Sequence, residues 1–220
     1  MSDNHNDASI DAVELASLLC SRLCHDMLSP VGALSNGLEL LSDETDPQMR
    51  ERCFELLEQS ARISADKLKF FRLAFGAAGG FGDMVAVEDS QGVIDALVSA
   101  NDRITMDWQL GARELPKDAV KVLLNFSQLA MDALVRGGTL TVGAELNDKA
   151  SEIVVRAAGP KIAFDDRIGG ALDGSMPASD LTSRTAAAHM LHLLAQRCGG
   201  GLQYARTDDA LVLGAVLPRR

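Results

Sequence analysis

The sequence predicts an α+β chain: an antiparallel helical hairpin followed by an α/β sandwich. Three observations predict it. Two long segments with helical apolar spacing lie before residue 76, joined by a short stretch rich in acids and ending in proline. A glycine-rich run, Gly76-Ala77-Ala78-Gly79-Gly80-Phe81-Gly82, then breaks the pattern as a linker does. Beyond it, strand-like and helix-like segments alternate, which is the order of a mixed sheet with helices on one face. The units are therefore a disordered N-terminus over 1–10, a hairpin over 11–76, a linker over 77–82 and a sandwich over 83–220.

In the first helix, Asp11 to Leu41, an apolar stripe runs through Ala16, Leu19, Leu23, Met27, Leu34, Leu38 and Leu41. The spacings are three, four or seven, as a 3.6-residue turn requires. Ser42 to Pro47 stops it, and Asp46-Pro47 supplies an N-cap and a first-turn proline for the second helix. That helix carries Phe54, Leu57, Ala61, Leu68, Phe71 and Phe75 on one stripe, with Met49, Leu56 and Ile63 beside it. So short a connection makes the helices antiparallel. Two helices cannot cover both apolar flanks of each other, so a second copy is expected to complete a dimeric four-helix bundle.

In the sandwich, Asp83–Val87 reads as a short strand and Ser90–Ala100 as a helix. Arg103–Gln109 alternates as a strand, with Ile104, Met106 and Trp108 on one face. Pro116 to Val135 is a helix that starts with proline and ends at Gly137-Gly138. Thr139–Leu146 and Glu152–Ala157 form a hairpin, and Ala158 to Asp180 is loop. Ser183 to Cys198 is a helix closed by glycines, and Gly201–Arg206 with Leu211–Leu217 form a last hairpin.

Composition excludes several functions. Thirty-one Asp and Glu stand against 21 Lys and Arg, a net charge of −10, which disfavours nucleic-acid binding because phosphates need surplus cations. Aromatic residues at 4% are too few for base-stacking platforms. No apolar run is long enough to span a bilayer, and Met1 to Asp11 lacks the form of a signal peptide. A cytoplasmic protein with free thiols at Cys20, Cys24, Cys53 and Cys198 is expected. The cysteine spacing matches no zinc signature; Cys20 and Cys24 read as small packing residues, and His189 and His192 as packing or surface residues.

The chemistry gathers around His25. Its imidazole points roughly 200° from the neighbouring core positions Leu23 and Met27, toward solvent. Ser21, Arg22, Ser29, Gly32 and Asn36 share that face, and the small residues Ser29 and Gly32 leave the ring accessible to a partner. Pro30 cannot donate to the carbonyl of Asp26 and is expected to bend the helix. Asp26 can accept from an imidazole N–H. Neutral imidazole is a nucleophile toward phosphorus; the alternative is a solvated surface histidine.

Cys24-His25-Asp26-Met27-Leu28-Ser29-Pro30 resembles the H-box of histidine kinases, and a dimerising hairpin before an α/β domain resembles their architecture. In that family the second domain binds ATP through three motifs, and here each is eroded. Gln128 and Asp132 stand at the places of two asparagines, although Asp132 could still ligate Mg²⁺. Ala157 replaces the carboxylate that accepts from adenine, and Lys161 replaces a glycine. Ser183, Thr185 and Ala187 replace the phosphate-loop glycines, and Asp165, Asp166, Asp173 and Asp180 add repulsive charge.

An intact H-box with a dismantled nucleotide site is similar to the alphaproteobacterial histidine phosphotransferases of the ChpT type. The resemblance implies that 83–220 is a degenerate histidine-kinase ATPase-like domain. It implies a phosphoryl group taken by His25 from the receiver aspartate of a hybrid histidine kinase, CckA-like, and passed to response regulators, CtrA-like or CpdR-like. No cofactor is implied for this chain, since Mg²⁺ comes with the partner receiver. Asp26 would orient the ring, Arg22 would contact the phosphoryl oxygens or the receiver, and Ser29, Gly32 and Asn36 would complete the docking face. Two other functions stay open from the residues: a divergent ATP-dependent histidine kinase, and a non-catalytic protein that binds receivers.

Overall fold

The computed structural model describes residues 10–76 and 83–219. The expected disordered terminus falls almost wholly, and the expected linker entirely, outside the described residues. Helix α1 spans Ala12–Asp43 and runs through Pro30 without a break. Helix α2 spans Pro47–Ala74, with the Asp46 carboxylate accepting from the backbone N–H of Gln48 at 2.9 Å. Arg50 ties the connection by donating to the carbonyls of Leu41 and Glu44, at 3.1 and 2.9 Å. Pro30 and Gly37 are buried on α1, and Gly37 lets the helices approach: a Cβ there would come within 2.9 Å of Leu57 Cδ2.

The predicted core stripes are only partly buried within one chain. Leu38 and Phe54 are 60% and 54% exposed; Leu68, Ala16 and Ala61 are exposed too. Each helix has two apolar flanks, and a stripe drawn at spacings of three, four and seven mixes them. On α1 the outward flank carries Val13, Cys20, Cys24, Val31 and Leu38, so the two cysteines expected to pack are exposed in the single chain.

The sandwich follows. Strand β1 (Met84–Ala86) pairs antiparallel with β3 (Glu114–Pro116), a three-residue strand absent from the sequence expectation. Helix α3 (Val87–Val98) and strand β2 (Ile104–Leu110) lie between them. Helix α4 (Lys117–Ala133), the hairpin of β4 (Gly138–Leu146) and β5 (Ala150–Ala158), helix α6 (Ala186–Cys198), and the hairpin of β6 (Gly201–Arg206) and β7 (Ala210–Pro218) match the sequence pattern closely. The main sheet runs β2-β4-β5-β7-β6, parallel only between β2 and β4. One face is covered: Leu123, Phe126 and Ala130 of α4 and Leu140, Val142, Ile153 and Val155 of the strands are fully buried. On the other face Val154 and Val216 are exposed.

The stretch 158–180, expected as loop, contains helix α5 (Asp166–Asp173) and a 3₁₀ turn at Ala178–Asp180. Gly169-Gly170 argues against a helix on propensity. Burial of Ile168, Ala171 and Leu172 overrides that, and Gly169 is required because any Cβ there would collide with the Tyr204 ring.

The hairpin merges into the sandwich at its open end. Phe70 and Ala74 of α2 belong to the same buried core as α4, and Asn125 of α4 reaches the carbonyl of Ala74 at 3.4 Å. The C-terminal turns of α2 are thereby anchored, and α1 is held beside α4 and α6.

Candidate functional site

His25 stands on α1 with its side chain 82% exposed. Its Nδ1 lies 3.4 Å from Asp26 Oδ1, at the long end of hydrogen bonding. The other carboxylate oxygen of Asp26 accepts from Arg22 Nε at 2.7 Å, one helical turn back. Arg22 Nη2 then reaches Asp132 of α4 at 3.4 Å, and Asp132 also accepts from Gln128 at 2.8 Å. A polar chain therefore runs from the exposed imidazole into the crevice between hairpin and sandwich. From α2, Lys67 Nζ donates to the backbone carbonyl of Asp26 at 2.8 Å.

The electrostatics follow from this chain. Burial opposes the charge on Arg22, but the hydrogen bond and charge of Asp26, with the charge of Asp132, hold its guanidinium pKa above the ordinary value. For Asp132, desolvation in the crevice outweighs Arg22 and Gln128 and pushes the carboxyl up, although half of the side chain remains exposed.

The residues expected around His25 divide. Ser29 and Asn36 are exposed, and a Cβ built on Gly32 would meet nothing within 4 Å. Arg22 differs: its guanidinium turns inward to Asp26 and Asp132, with its side chain only 22% exposed. Sequence reasoning missed Leu28, 69% exposed and roughly 60° around the helix from His25. An apolar residue on that face was a legible signal. Lys67 carried none, because only packing brings α2 beside Pro30.

Of the positions compared with nucleotide motifs, Gln128, Asp132 and Ala187 line one crevice of about 30 Å³ between hairpin and sandwich, together with Arg22, Phe71 and Arg184. Ala157 is buried on β5. Thr185 is buried at the start of α6, where its hydroxyl accepts from the Thr182 N–H at 3.0 Å. The acidic loop is engaged locally: Asp165 caps α5 and lies 3.9 Å from Arg184, and Asp166 pairs with Arg206 at 2.9 Å. Among the described residues no group of three or more His, Cys, Asp or Glu is placed to hold a metal ion. Among them too, no helix is long and apolar enough to cross a membrane.

An exposed imidazole with one nitrogen facing a carboxylate suits group transfer at the other nitrogen. The comparisons agree with that chemistry. The model of the histidine phosphotransferase C-terminal domain matches residues 87–210. The chain is 34% identical over 208 residues to the protein phosphotransferase ChpT of Brucella abortus (strain 2308), covering 94% of this chain and 97% of the relative. This chain belongs to the histidine phosphotransferase family. A solved bacterial phosphotransferase superposes on it with a TM-score of 0.82 at 32% identity, covering 95% of this chain and 98% of that one. The histidine phosphotransferase fold thus spans hairpin and sandwich together. The segment matched by the family model is the sandwich; His25 lies outside it.

Proposed function

We propose that this phosphotransferase carries a phosphoryl group on His25, taking it from the receiver aspartate of a hybrid histidine kinase (CckA-like) and giving it to response-regulator receivers (CtrA-like, CpdR-like). One observation carries the reading: the His25 side chain is 82% exposed while its Nδ1 alone faces Asp26. With the Nδ1 proton directed to Asp26, the Nε2 lone pair is free to attack. The Nε2–P bond forms as the bond between phosphorus and the receiver's carboxylate oxygen breaks, and the carboxylate leaves with the electron pair. The second transfer is the reverse reaction with another carboxylate. Both steps depend on positioning and charge neutralisation in a loose transition state, with Mg²⁺ supplied in the receiver's acidic pocket.

The surroundings support this. Ser29 and Gly32 keep the approach to the ring low, and Leu28 and Asn36 extend the face on which a receiver would sit. A second copy would cover the outward flank of Val13, Cys24, Val31 and Leu38 with Phe54, Ala61 and Leu68, making the protein a homodimer. Transfer proceeds without nucleotide. Ala157 on β5 offers no carboxylate to an adenine, and Asp132 is already engaged by Gln128 and Arg22.

The test is to incubate the pure chain with labelled ATP alone, then with a labelled phospho-receiver. Label is expected only from the receiver, and none in His25→Ala. Label drawn from ATP alone would make the chain a kinase. Receiver binding with no label on wild type would make it a binding protein.

A further inference from the structure

Pro30 leaves the carbonyl of Asp26 without the N–H that an unbroken helix supplies four residues on. The gap adjoins His25, and it is filled from the other helix. Lys67 of α2, 41 positions away in sequence, places Nζ 2.8 Å from that carbonyl oxygen in a partly buried setting. Residue 26 is thereby held at two points by two cations. Lys67 takes its carbonyl and Arg22 its carboxylate, which leaves Oδ1 toward the His25 ring.

We infer that Lys67 is a positioning residue for phosphoryl transfer at His25: it replaces the donor that Pro30 removes and so fixes the turn of α1 that aims the imidazole. The inference rests on the reading of His25 as the phosphoryl carrier. Proline keeps the backbone from bonding to itself, and the carbonyl it frees becomes the strut between the two helices. A small misplacement of a reacting group costs up to about a hundredfold in rate, so a strut at the adjacent residue matters to the chemistry.

The compensation gives the test. Pro30→Ala restores a backbone N–H at position 30, and with it the donor for Asp26. Transfer from a phosphorylated receiver is measured for four proteins: wild type, Lys67→Met, Pro30→Ala, and the double variant. With Pro30 in place, Lys67→Met is expected to slow transfer about tenfold; in the Pro30→Ala background, the rates with and without Lys67 are expected to agree within about twofold. The amide ¹⁵N shift of Met27, whose nitrogen shares the peptide bond with the Asp26 carbonyl, is expected to move on Lys67→Met only when Pro30 is present. Lys67→Leu, which also lacks a donor, replaces Lys67→Met if the latter does not fold with Pro30 in place.

An unchanged rate in Lys67→Met overturns the inference. So does an equal loss of rate in both backgrounds, which would mean that Lys67 acts on the receiver or the phosphoryl group directly. Label on His25→Ala would instead sink the reading of His25, and the two failures are distinguishable.

Discussion

Arg22 and Asp132 meet across the boundary between hairpin and sandwich, Nη2 to Oδ2, at 3.4 Å. They are 110 positions apart. The same arginine holds Asp26, the neighbour of His25, at 2.7 Å. The sandwich is therefore tied to the helix that bears the exposed imidazole, with the Asp132 carboxylate of α4 as the anchor.

Because these side chains are 22% and 49% exposed, solvent screens much of their attraction. A double-mutant cycle of Arg22→Met and Asp132→Asn is expected to give a coupling of about 0.5 kcal/mol in urea unfolding. Strictly additive effects would show that the contact contributes nothing. Arg22→Met alone is expected to cost more than Asp132→Asn, because it also releases the Asp26 carboxylate.

Gly32 separates access from stability. A Cβ there meets nothing within 4 Å, so Gly32→Ala is expected to raise stability by up to about 1 kcal/mol through helix propensity. Gly32→Leu is expected to leave circular dichroism unchanged and to slow transfer from a receiver by blocking its approach. Wild-type transfer in Gly32→Leu would remove this face from the docking surface.

His189 is expected to make the fold acid-sensitive. Its Nδ1 is buried without a partner, and its ring stacks on His192 at 5.9 Å between centroids. Burial first, then the charge of His192, lowers its pKa from 6.5. The unfolded chain takes up a proton as pH falls through 6.5 while the folded chain resists it. Stability is thus full above 6.5 and declines below it, until the folded group also titrates. Urea midpoints at about pH 7.5 and 5.5 are expected to diverge less in His189→Leu than in wild type; equal divergence would place the acid sensitivity elsewhere.

Leu38 and Phe54 are expected to lie between two copies of the chain. Leu38→Glu with Phe54→Glu is expected to turn a dimer into a folded monomer, read by light scattering with circular dichroism as the control. A wild-type chain that is already monomeric at micromolar concentration would refute the bundle.

The two long helices were legible because apolar spacing is a local signal, and Asp46-Pro47 marked the second start within a residue. The main strands were legible by alternation. Strand β3 was not, since its three residues become a strand only by pairing with β1. Helix α5 was hidden by Gly169-Gly170, whose helical poverty is overcome by packing against Tyr204 and the buried Ile168 and Leu172. At the site, the exposure of His25 followed from helix geometry. The inward turn of Arg22 did not, because its second partner lies on α4.

By itself the sequence decided that an imidazole stands clear of the first helix beside a carboxylate, and that Pro30 leaves one carbonyl open next to it. Those are consequences of covalent structure and a 3.6-residue turn, which act over a few positions. Tertiary structure alone decided that Lys67 fills the open carbonyl and that Asp132 draws Arg22 inward. Both partners come from distant segments, and their approach is set by how Phe70 and Ala74 bury the end of the hairpin in the core of the sandwich.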